Sequence, residues 1–229
     1  MASVLPCITL ETGNTPRYSI IWLHGLGADG EDFVPIAEEL ELPAAVRYVF
    51  PHAPMRPVTI NGGYVMRAWY DILNGAATAE IAANIGRQED AEGIRASRLL
   101  VESLIAQEKQ RGIAAKNIYL AGFSQGGAVV LHTGLRHNEP LGGILALSAY
   151  LPLPQTLPVE AAASARQTPI FMAHGQDDPV IPHAFGRASA EALLRQGYSL
   201  EWHDYRMPHS VCPEEIRDIE RWLRQRLSA

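Results

Sequence analysis

The chain has 229 residues, of which 47% are hydrophobic and 19% are charged, a composition typical of a globular protein that buries a substantial core. Its formal net charge of −6, without a dense run of lysine and arginine, argues against a nucleic-acid-binding protein. The two cysteines, Cys7 and Cys212, form neither a CxxC pair nor a disulfide framework.

Signals for export or membrane insertion are not evident in the sequence. The N-terminus lacks the basic and apolar regions of a signal peptide, and no uncharged apolar run reaches the roughly 18 residues that a membrane helix needs. We therefore expect a cytoplasmic protein without integral membrane contact, built as a single domain over residues 1–229. The sequence does not fix the oligomeric state and leaves a homodimer open.

Short apolar runs alternate with helical patterns in the first half of the chain. The β-branched run at 18–24 predicts a strand, and residues 31–40 follow it with apolar side chains at helical spacing. The run at 46–50 predicts the next strand. Residues 88–111 predict a long helix that a glycine terminates.

The second half continues this alternation up to the C-terminus. Strands are predicted at 117–123, 142–150, 170–175 and 200–205, and helices at 125–136, at 183–196 and from about 213. The strand at 142–150 is too apolar to face water on either side, which favours a central position in a parallel sheet. The pattern as a whole predicts a mostly parallel α/β sheet with helices on both faces. In such folds, functional residues follow the carboxyl ends of the strands.

One strand end carries the pentapeptide GFSQG at residues 122–126, a G-x-S-x-G pattern between a strand and a helix. In a nucleophile elbow, this sharp turn holds the serine in a strained conformation, and the glycines avoid clashes with neighbouring backbone. The alternative is a serine that only caps the following helix. Because the pattern lies between a strand and a helix, we interpret Ser124 as a nucleophile.

A serine hydroxyl needs a base, and in this kind of fold an acid and then a histidine follow the serine along the chain. Asp177 and Asp178 follow one later strand, and His209 follows the last strand. Asp178 precedes a proline, which favours extended backbone, but local sequence alone does not separate it from Asp177. Asp204 is a third candidate that lies within a strand pattern.

The sequence HGLGADG at 24–30 has two interpretations. The spacing Gly25-x-Gly27-x-x-Gly30 between a strand and a helix is a dinucleotide fingerprint, which would indicate an oxidoreductase. However, no acid ends the next strand to bind a ribose, and Asp29 would lie beside the pyrophosphate. We favour an oxyanion-hole loop, with the backbone N–H groups of Leu26 and Gln125 as donors.

Together these residues resemble the carboxylesterase, acyl-protein thioesterase and lysophospholipase branch of the α/β-hydrolases. The matching blocks run from about residue 20 to the C-terminus and are HGLGADG, FPHAP, MRAWYDI, GFSQGG, ALSAYLP, HGQDDPV and HSVCPEE. The resemblance implies the α/β-hydrolase fold, with Ser124 as nucleophile, Asp178 as orienting acid and His209 as base. It also implies Leu26 and Gln125 as oxyanion donors, and it requires neither a metal nor an organic cofactor.

Segment 59–86 is similar to a lid or acyl-pocket segment of that family. Trp69, Ile72 and Leu73 in this segment are candidates for substrate binding. Leu151 is a further candidate and begins a proline-rich crossing, which follows the predicted strand at 142–150. Packing in the core is an equally good interpretation of the first three.

The expected function is that of a serine hydrolase that cleaves carboxylic esters of small to medium acyl chains through an acyl-enzyme. Thioesters and lysophospholipids are alternative substrates, and a hydrolase-like binding module without catalysis is a further alternative. The expected partner is a small-molecule acyl ester or thioester, not a nucleic acid. The sequence does not determine the acyl-chain length.

Overall fold

The computed structural model describes residues 5–73 and 89–227 of the chain. The strands within these residues are β1 (Cys7–Glu11), β2 (Tyr18–Leu23), β3 (Val46–Pro51), β4 (Met55–Val58), β5 (Tyr64–Arg67), β6 (Ile118–Phe123), β7 (Gly143–Leu147), β8 (Ile170–Gly175) and β9 (Leu200–Tyr205). The α-helices within the same residues are α1 (Val34–Glu39), α2 (Ala91–Gln110), α3 (Gln125–Gly134), α4 (Leu157–Glu160), α5 (His183–Arg195) and α6 (Pro213–Arg224). None of the described helices is both long and apolar enough to cross a membrane.

Seven strands form one sheet in the order β1-β3-β2-β6-β7-β8-β9, and β4 pairs with β5 in a separate hairpin. Only β1 runs antiparallel to its neighbour; the other six strands of the sheet are parallel. The chain leaves β2 toward β3 on one side, and β6 lies on the other side. This reversal of strand order is the place where open α/β sheets bind ligands.

Helices cover both faces of the sheet, as the alternation of side chains along β2 illustrates. All six residues of β2 are buried. Ile21 and Leu23 belong to a core shared with α2, α3 and α5, whereas Ile20 and Trp22 belong to a second core shared with α1 and α6. A strand buried on both faces is what its continuous apolar sequence predicts. The α/β-hydrolase fold class is confirmed.

The structure adds strands that the sequence pattern does not predict. Strand β1 lies at the sheet edge with only partly buried side chains, so its sequence lacks a strong apolar signal. Strand β5 lies within the expected lid segment 59–86, and its hairpin partner β4 ends directly before that segment. Residues 74–86 of the segment lie outside the described residues. The long helix begins at Ala91 rather than at 88, and the proline-rich crossing contains the short helix α4.

Candidate active site

Ser124 lies in the turn between β6 and α3 with a backbone conformation that L-residues rarely adopt. Its φ is 54° and its ψ is −120°, a region that stores strain of the order of 1–3 kcal/mol. Its N–H donates to the carbonyl of Leu147 at 2.8 Å, which anchors the turn to β7. Its side chain makes no capping hydrogen bond to α3, so helix capping does not account for this serine.

Glycines on either side of the turn leave room for close backbone contacts. A Cβ at Gly122 would lie 2.5 Å from the carbonyl carbon of Gly126, and a Cβ at Gly126 would lie 2.4 Å from the carbonyl oxygen of Leu23. A Cβ at Gly25 would lie 3.5 Å from the Cβ of Ser124. The loop after β2 therefore packs directly against the serine.

We expect Gly126→Ala to lower the free energy of unfolding by roughly 2 kcal/mol more than Gly134→Ala, because overpacking against fixed atoms costs roughly 1–3 kcal/mol. Both glycines lie in α3, so both substitutions gain similar helix propensity. The new Cβ at residue 134 meets the side-chain end of Ile144, at 2.4 Å from its Cδ1, and that methyl group moves more easily than backbone. Urea unfolding of both variants measures the difference, and equal losses would contradict the prediction.

His209 and Asp178 form a close pair at the ends of β9 and β8. The Nδ1 atom of His209 lies 2.7 Å from Oδ2 of Asp178, and the carboxylate is fully buried. The other oxygen, Oδ1, accepts the N–H groups of Val180 at 2.8 Å and Ile181 at 2.9 Å. Burial alone would raise the pKa of Asp178, but hydrogen bonds from two histidines and two backbone N–H groups outweigh it and lower that pKa. The carboxylate is therefore ionised at neutral pH.

His209, the candidate base, is close to the elbow, because the rings of His209 and Phe123 are 4.7 Å apart and Phe123 directly precedes Ser124. The structure also distinguishes between the three aspartates that are candidates for the acid. Asp177 is exposed, and Asp204 contacts His183 at 3.2 Å rather than His209. Of the three aspartates, Asp178 is the one that bonds to His209.

His174 is a contact of Asp178 that the sequence analysis did not single out. Its Nε2 lies 2.8 Å from the carbonyl oxygen of Ile181 and 3.3 Å from Oδ2 of Asp178, and its side chain is fully buried. A Cβ at Gly186 would lie 2.3 Å from the ring, so α5 packs closely over it. Oδ2 thus contacts two imidazoles, and the position of His174 in the HGQDDPV block was the available signal.

The two expected oxyanion donors belong to the helix that follows Ser124 and to the loop that packs against it. Gln125 is the first residue of α3, and the first hydrogen bond of that helix is donated by Ala128 to the carbonyl of Ser124 at 3.1 Å. The N–H of Gln125 therefore precedes the helical ladder, at the end where the helix dipole favours negative charge. Leu26 follows Gly25 in the loop that packs against the serine.

The glycines of the loop 24–30 make contacts within the protein that do not suit a phosphate site. The N–H of Gly27 donates to the carbonyl of Arg67 at 2.9 Å, and the N–H of Gly30 donates to Nδ1 of His52 at 3.1 Å. A Cβ at Gly30 would lie 2.6 Å from the carbonyl oxygen of Phe50. The N–H groups of two of the three fingerprint glycines are therefore bonded within the protein and do not face a phosphate. This argues against the dinucleotide interpretation.

The four candidates for substrate binding differ in exposure. Trp69 and Leu151 are almost completely buried, whereas Ile72 is partly buried against the core and Leu73 is 41% exposed. The backbone and the indole of Trp69 both donate hydrogen bonds to protein groups. In this structure Leu73 offers the largest surface of the four, and a substrate-binding role for each stays a prediction. Among the described residues, no group of three His, Cys, Asp or Glu side chains is arranged to hold a metal ion.

Glu215 is a buried acid in the first turn of α6, after the His209 loop. Its side chain is fully buried, and within the described chain its carboxylate oxygens have no hydrogen-bond partner. Burial raises its pKa from 4.5 to about 8. The unfolded chain loses this proton near pH 4.5 whereas the folded chain keeps it, so the free energy of unfolding falls as pH rises from about 4.5 to about 8 and levels off above.

We expect Glu215→Gln to remove this part of the pH dependence and to stabilise the protein above pH 8, because an amide carries no charge to bury. Urea unfolding at pH 5, 7 and 9 measures the slope. The control is Glu214→Gln at the neighbouring exposed position, which should keep the parental slope. If the free energy of unfolding of Glu215→Gln depended on pH as it does in the parent, the prediction would be wrong.

Comparison with known proteins shows the family to which this chain is similar. Residues 8–227 match the family model described as Phospholipase/Carboxylesterase. Acyl-protein thioesterase 1 of Gibberella zeae is 40% identical over 217 residues, which cover 91% of this chain and 90% of that protein. Acyl-protein thioesterase 1 of Yarrowia lipolytica is 36% identical over 228 residues, with 97% of each chain covered.

Solved structures of similar proteins extend this comparison from sequence to fold. The crystal structure of Arabidopsis thaliana SOBER1 is similar with a TM-score of 0.84 at 32% identity, covering 92% of this chain and 99% of that chain. The crystal structure of Zea mays acyl-protein thioesterase 2 is similar with a TM-score of 0.82 at 28% identity, covering 97% of this chain and 99% of that chain.

Proposed function

The chain belongs to the phospholipase/carboxylesterase family of hydrolases, and from this premise we propose that it cleaves acyl esters and thioesters with Ser124, His209 and Asp178 as its catalytic triad. Its relatives make it a serine hydrolase of the carboxylesterase or thioesterase type. The observation that carries the assignment of residues is the strained turn at Ser124 beside the 2.7 Å pair of His209 and Asp178.

In the first step, Nε2 of His209 takes the proton of Ser124 as its Oγ attacks the acyl carbonyl carbon. The carbonyl oxygen becomes an oxyanion, which accepts hydrogen bonds from the N–H groups of Leu26 and Gln125. When the tetrahedral intermediate collapses, His209 returns the proton to the departing alcohol or thiol. The acyl group stays on Ser124 as an ester.

In the second step, His209 takes a proton from water, which attacks the acyl-enzyme. Collapse of the second tetrahedral intermediate releases the carboxylic acid and restores the Ser124 hydroxyl. In both steps the ionised carboxylate of Asp178 fixes the imidazole tautomer, since His209 presents Nδ1 to it at 2.7 Å, and stabilises the imidazolium. The lowered pKa of Asp178 suits this role.

We infer that acyl thioesters on proteins are a substrate class of this enzyme, beside small carboxylic esters. The support is 40% identity over 91% of this chain to a protein named acyl-protein thioesterase 1. A thiolate is a better leaving group than an alkoxide, so the same triad serves both. Lysophospholipids are the alternative substrate, and a cytoplasmic location and a homodimer stay predictions.

The test is a substrate panel with p-nitrophenyl esters of C2 to C16 acyl chains, a palmitoylated cysteine peptide and a lysophosphatidylcholine. We expect hydrolysis of the short esters and of the thioester peptide, both lost in Ser124→Ala. Turnover of the lysophospholipid alone would favour the alternative substrate. Turnover of none of them, by protein that a fluorophosphonate does not label, would contradict the proposed activity.

A further inference from the structure

The two proposed oxyanion donors lie on separate segments of the chain, so contacts between these segments must hold the donors at a fixed distance from each other. Leu26 belongs to the loop after β2, and Gln125 begins α3. Donor nitrogens must lie about 2.7–3.1 Å from the position that the oxyanion will occupy, with a tolerance of about 0.5 Å. Neighbouring side chains that bond to both segments are therefore candidates for positioning residues.

The side-chain amide of Gln125 joins the elbow to the segment that carries Trp69. Gln125 is 3% exposed; its Oε1 accepts the backbone N–H of Trp69 at 2.7 Å. Its Nε2 donates to the carbonyl oxygen of Tyr70, also at 2.7 Å. The oxygen and the nitrogen of the amide therefore both bond to the dipeptide Trp69–Tyr70. These bonds fix the dipeptide to Gln125, which supplies one of the two oxyanion donors.

The indole of Trp69 joins the same dipeptide to the oxyanion loop. Trp69 is fully buried, and its Nε1–H donates to the carbonyl oxygen of His24 at 2.9 Å. That carbonyl oxygen also faces the elbow, because a Cβ at Gly126 would lie 2.6 Å from it. The indole therefore fixes the peptide unit that immediately precedes Gly25.

The next peptide unit orients the N–H of Leu26. Nε2 of His24 accepts the N–H of Ala53 at 3.0 Å, so Nδ1 carries the ring proton and donates to the carbonyl oxygen of Gly25 at 2.7 Å. This carbonyl and the N–H of Leu26 belong to one trans peptide, in which the two bonds point in opposite directions. The N–H of Leu26 is therefore directed away from His24.

We propose that Trp69 is a positioning residue that sets the distance between the two oxyanion donors. Its backbone N–H bonds to the side chain of the residue that supplies one donor, and its indole N–H bonds to the loop that supplies the other. This inference rests on the proposed function, because it takes Leu26 and Gln125 as the donors. This positioning role differs from the predicted substrate-binding role of Trp69, because it acts through Gln125 and the loop after β2.

The test replaces Trp69 with phenylalanine, which removes the indole N–H but keeps an aromatic ring and the backbone bond to Gln125. The matched control is Trp222→Phe on α6. Trp222 is 2% exposed, and its Nε1 has no hydrogen-bond partner among the described residues. The control therefore loses the same ring atoms from a core position without losing a hydrogen bond.

We expect Trp69→Phe to lower kcat for a p-nitrophenyl ester about tenfold, less than the 10²- to 10³-fold typical of losing a donor outright. KM should change little, because oxyanion contacts form only in the transition state. The inhibition constant of an alkyl trifluoromethyl ketone, which forms a tetrahedral adduct with the serine, should rise by the same factor. Trp222→Phe should keep the parental kcat and inhibition constant.

Rates are compared per folded molecule, with the folded fraction taken from circular dichroism. If Trp69→Phe does not fold, Gln125→Met serves instead, because its uncharged side chain has a similar length but no longer bonds to the N–H of Trp69 and the carbonyl of Tyr70 as the amide does. This variant should show the same joint change in kcat and inhibition constant.

Two outcomes separate the inference from the proposed function. A parent whose activity depends on Ser124, together with a Trp69→Phe variant that matches Trp222→Phe, would overturn the inference alone. Activity that survives Ser124→Ala would overturn the proposed function and, with it, the oxyanion assignment that the inference needs.

Discussion

Replacing Ser124 with alanine is expected to lower kcat/KM for p-nitrophenyl esters by roughly 10⁵- to 10⁶-fold, the range in which loss of a triad nucleophile falls. Alanine removes the oxygen that forms the acyl-enzyme. The elbow itself should persist, because its backbone is held by the 2.8 Å bond to Leu147 and by the glycines around it. Steady-state kinetics and labelling by a fluorophosphonate probe measure the loss.

The chain offers a closely matched control at Ser148. This serine also follows a central strand, has a positive φ of 46° and is fully buried, but its hydroxyl has no hydrogen-bond partner among the described residues. We expect Ser148→Ala to keep close to the parental activity and its labelling. If Ser124→Ala retained activity while Ser148→Ala lost it, the nucleophile would be misassigned.

Replacing Asp178 with asparagine should lower kcat by roughly 10⁴-fold, because an amide nitrogen facing Nδ1 of His209 would favour the wrong imidazole tautomer. An asparagine also carries no charge to stabilise the imidazolium. The buried carboxylate contacts both His209 and His174, so the substitution removes the anionic partner of both imidazoles. Kinetics at pH 7 to 8 with a short ester measure the effect.

Asp177→Asn is the control for this experiment, since Asp177 is adjacent in sequence but exposed. It should keep the parental rate. A further check is the double variant of Asp178→Asn with His209→Gln, which should lose no more than His209→Gln alone because triad members act as a unit. Additive losses, or a larger effect at Asp177, would contradict the assignment of the acid.

Much of the fold can be predicted from the sequence, because burial on both faces of a strand and on one face of a helix leaves a periodic apolar pattern. The runs at 18–24 and 170–175 are examples: each forms a fully buried strand close to the predicted bounds. Strand β1 cannot be predicted in this way, since its half-exposed position at the sheet edge imposes no continuous apolar run.

The order of Ser124, an acid and His209 after the parallel strands β6, β8 and β9 can also be predicted from the sequence, because parallel strands bring their carboxyl ends to one edge of the sheet. The choice between Asp177 and Asp178 is different. From the residues alone it stays open, and the resemblance to a family favours Asp178. In the structure, one side chain is exposed and the other is buried against His209.

Sequence by itself determined the fold class, the strand ends that carry the candidate site residues and the candidate nucleophile, because these depend on local periodicity and turn chemistry. Tertiary structure alone decided which partners meet. Trp69 bonds to both Gln125 and His24, and Asp178 contacts His174 as well as His209. Such contacts depend on strand register and helix packing between distant parts of the chain, and no local pattern of residue types encodes those distances.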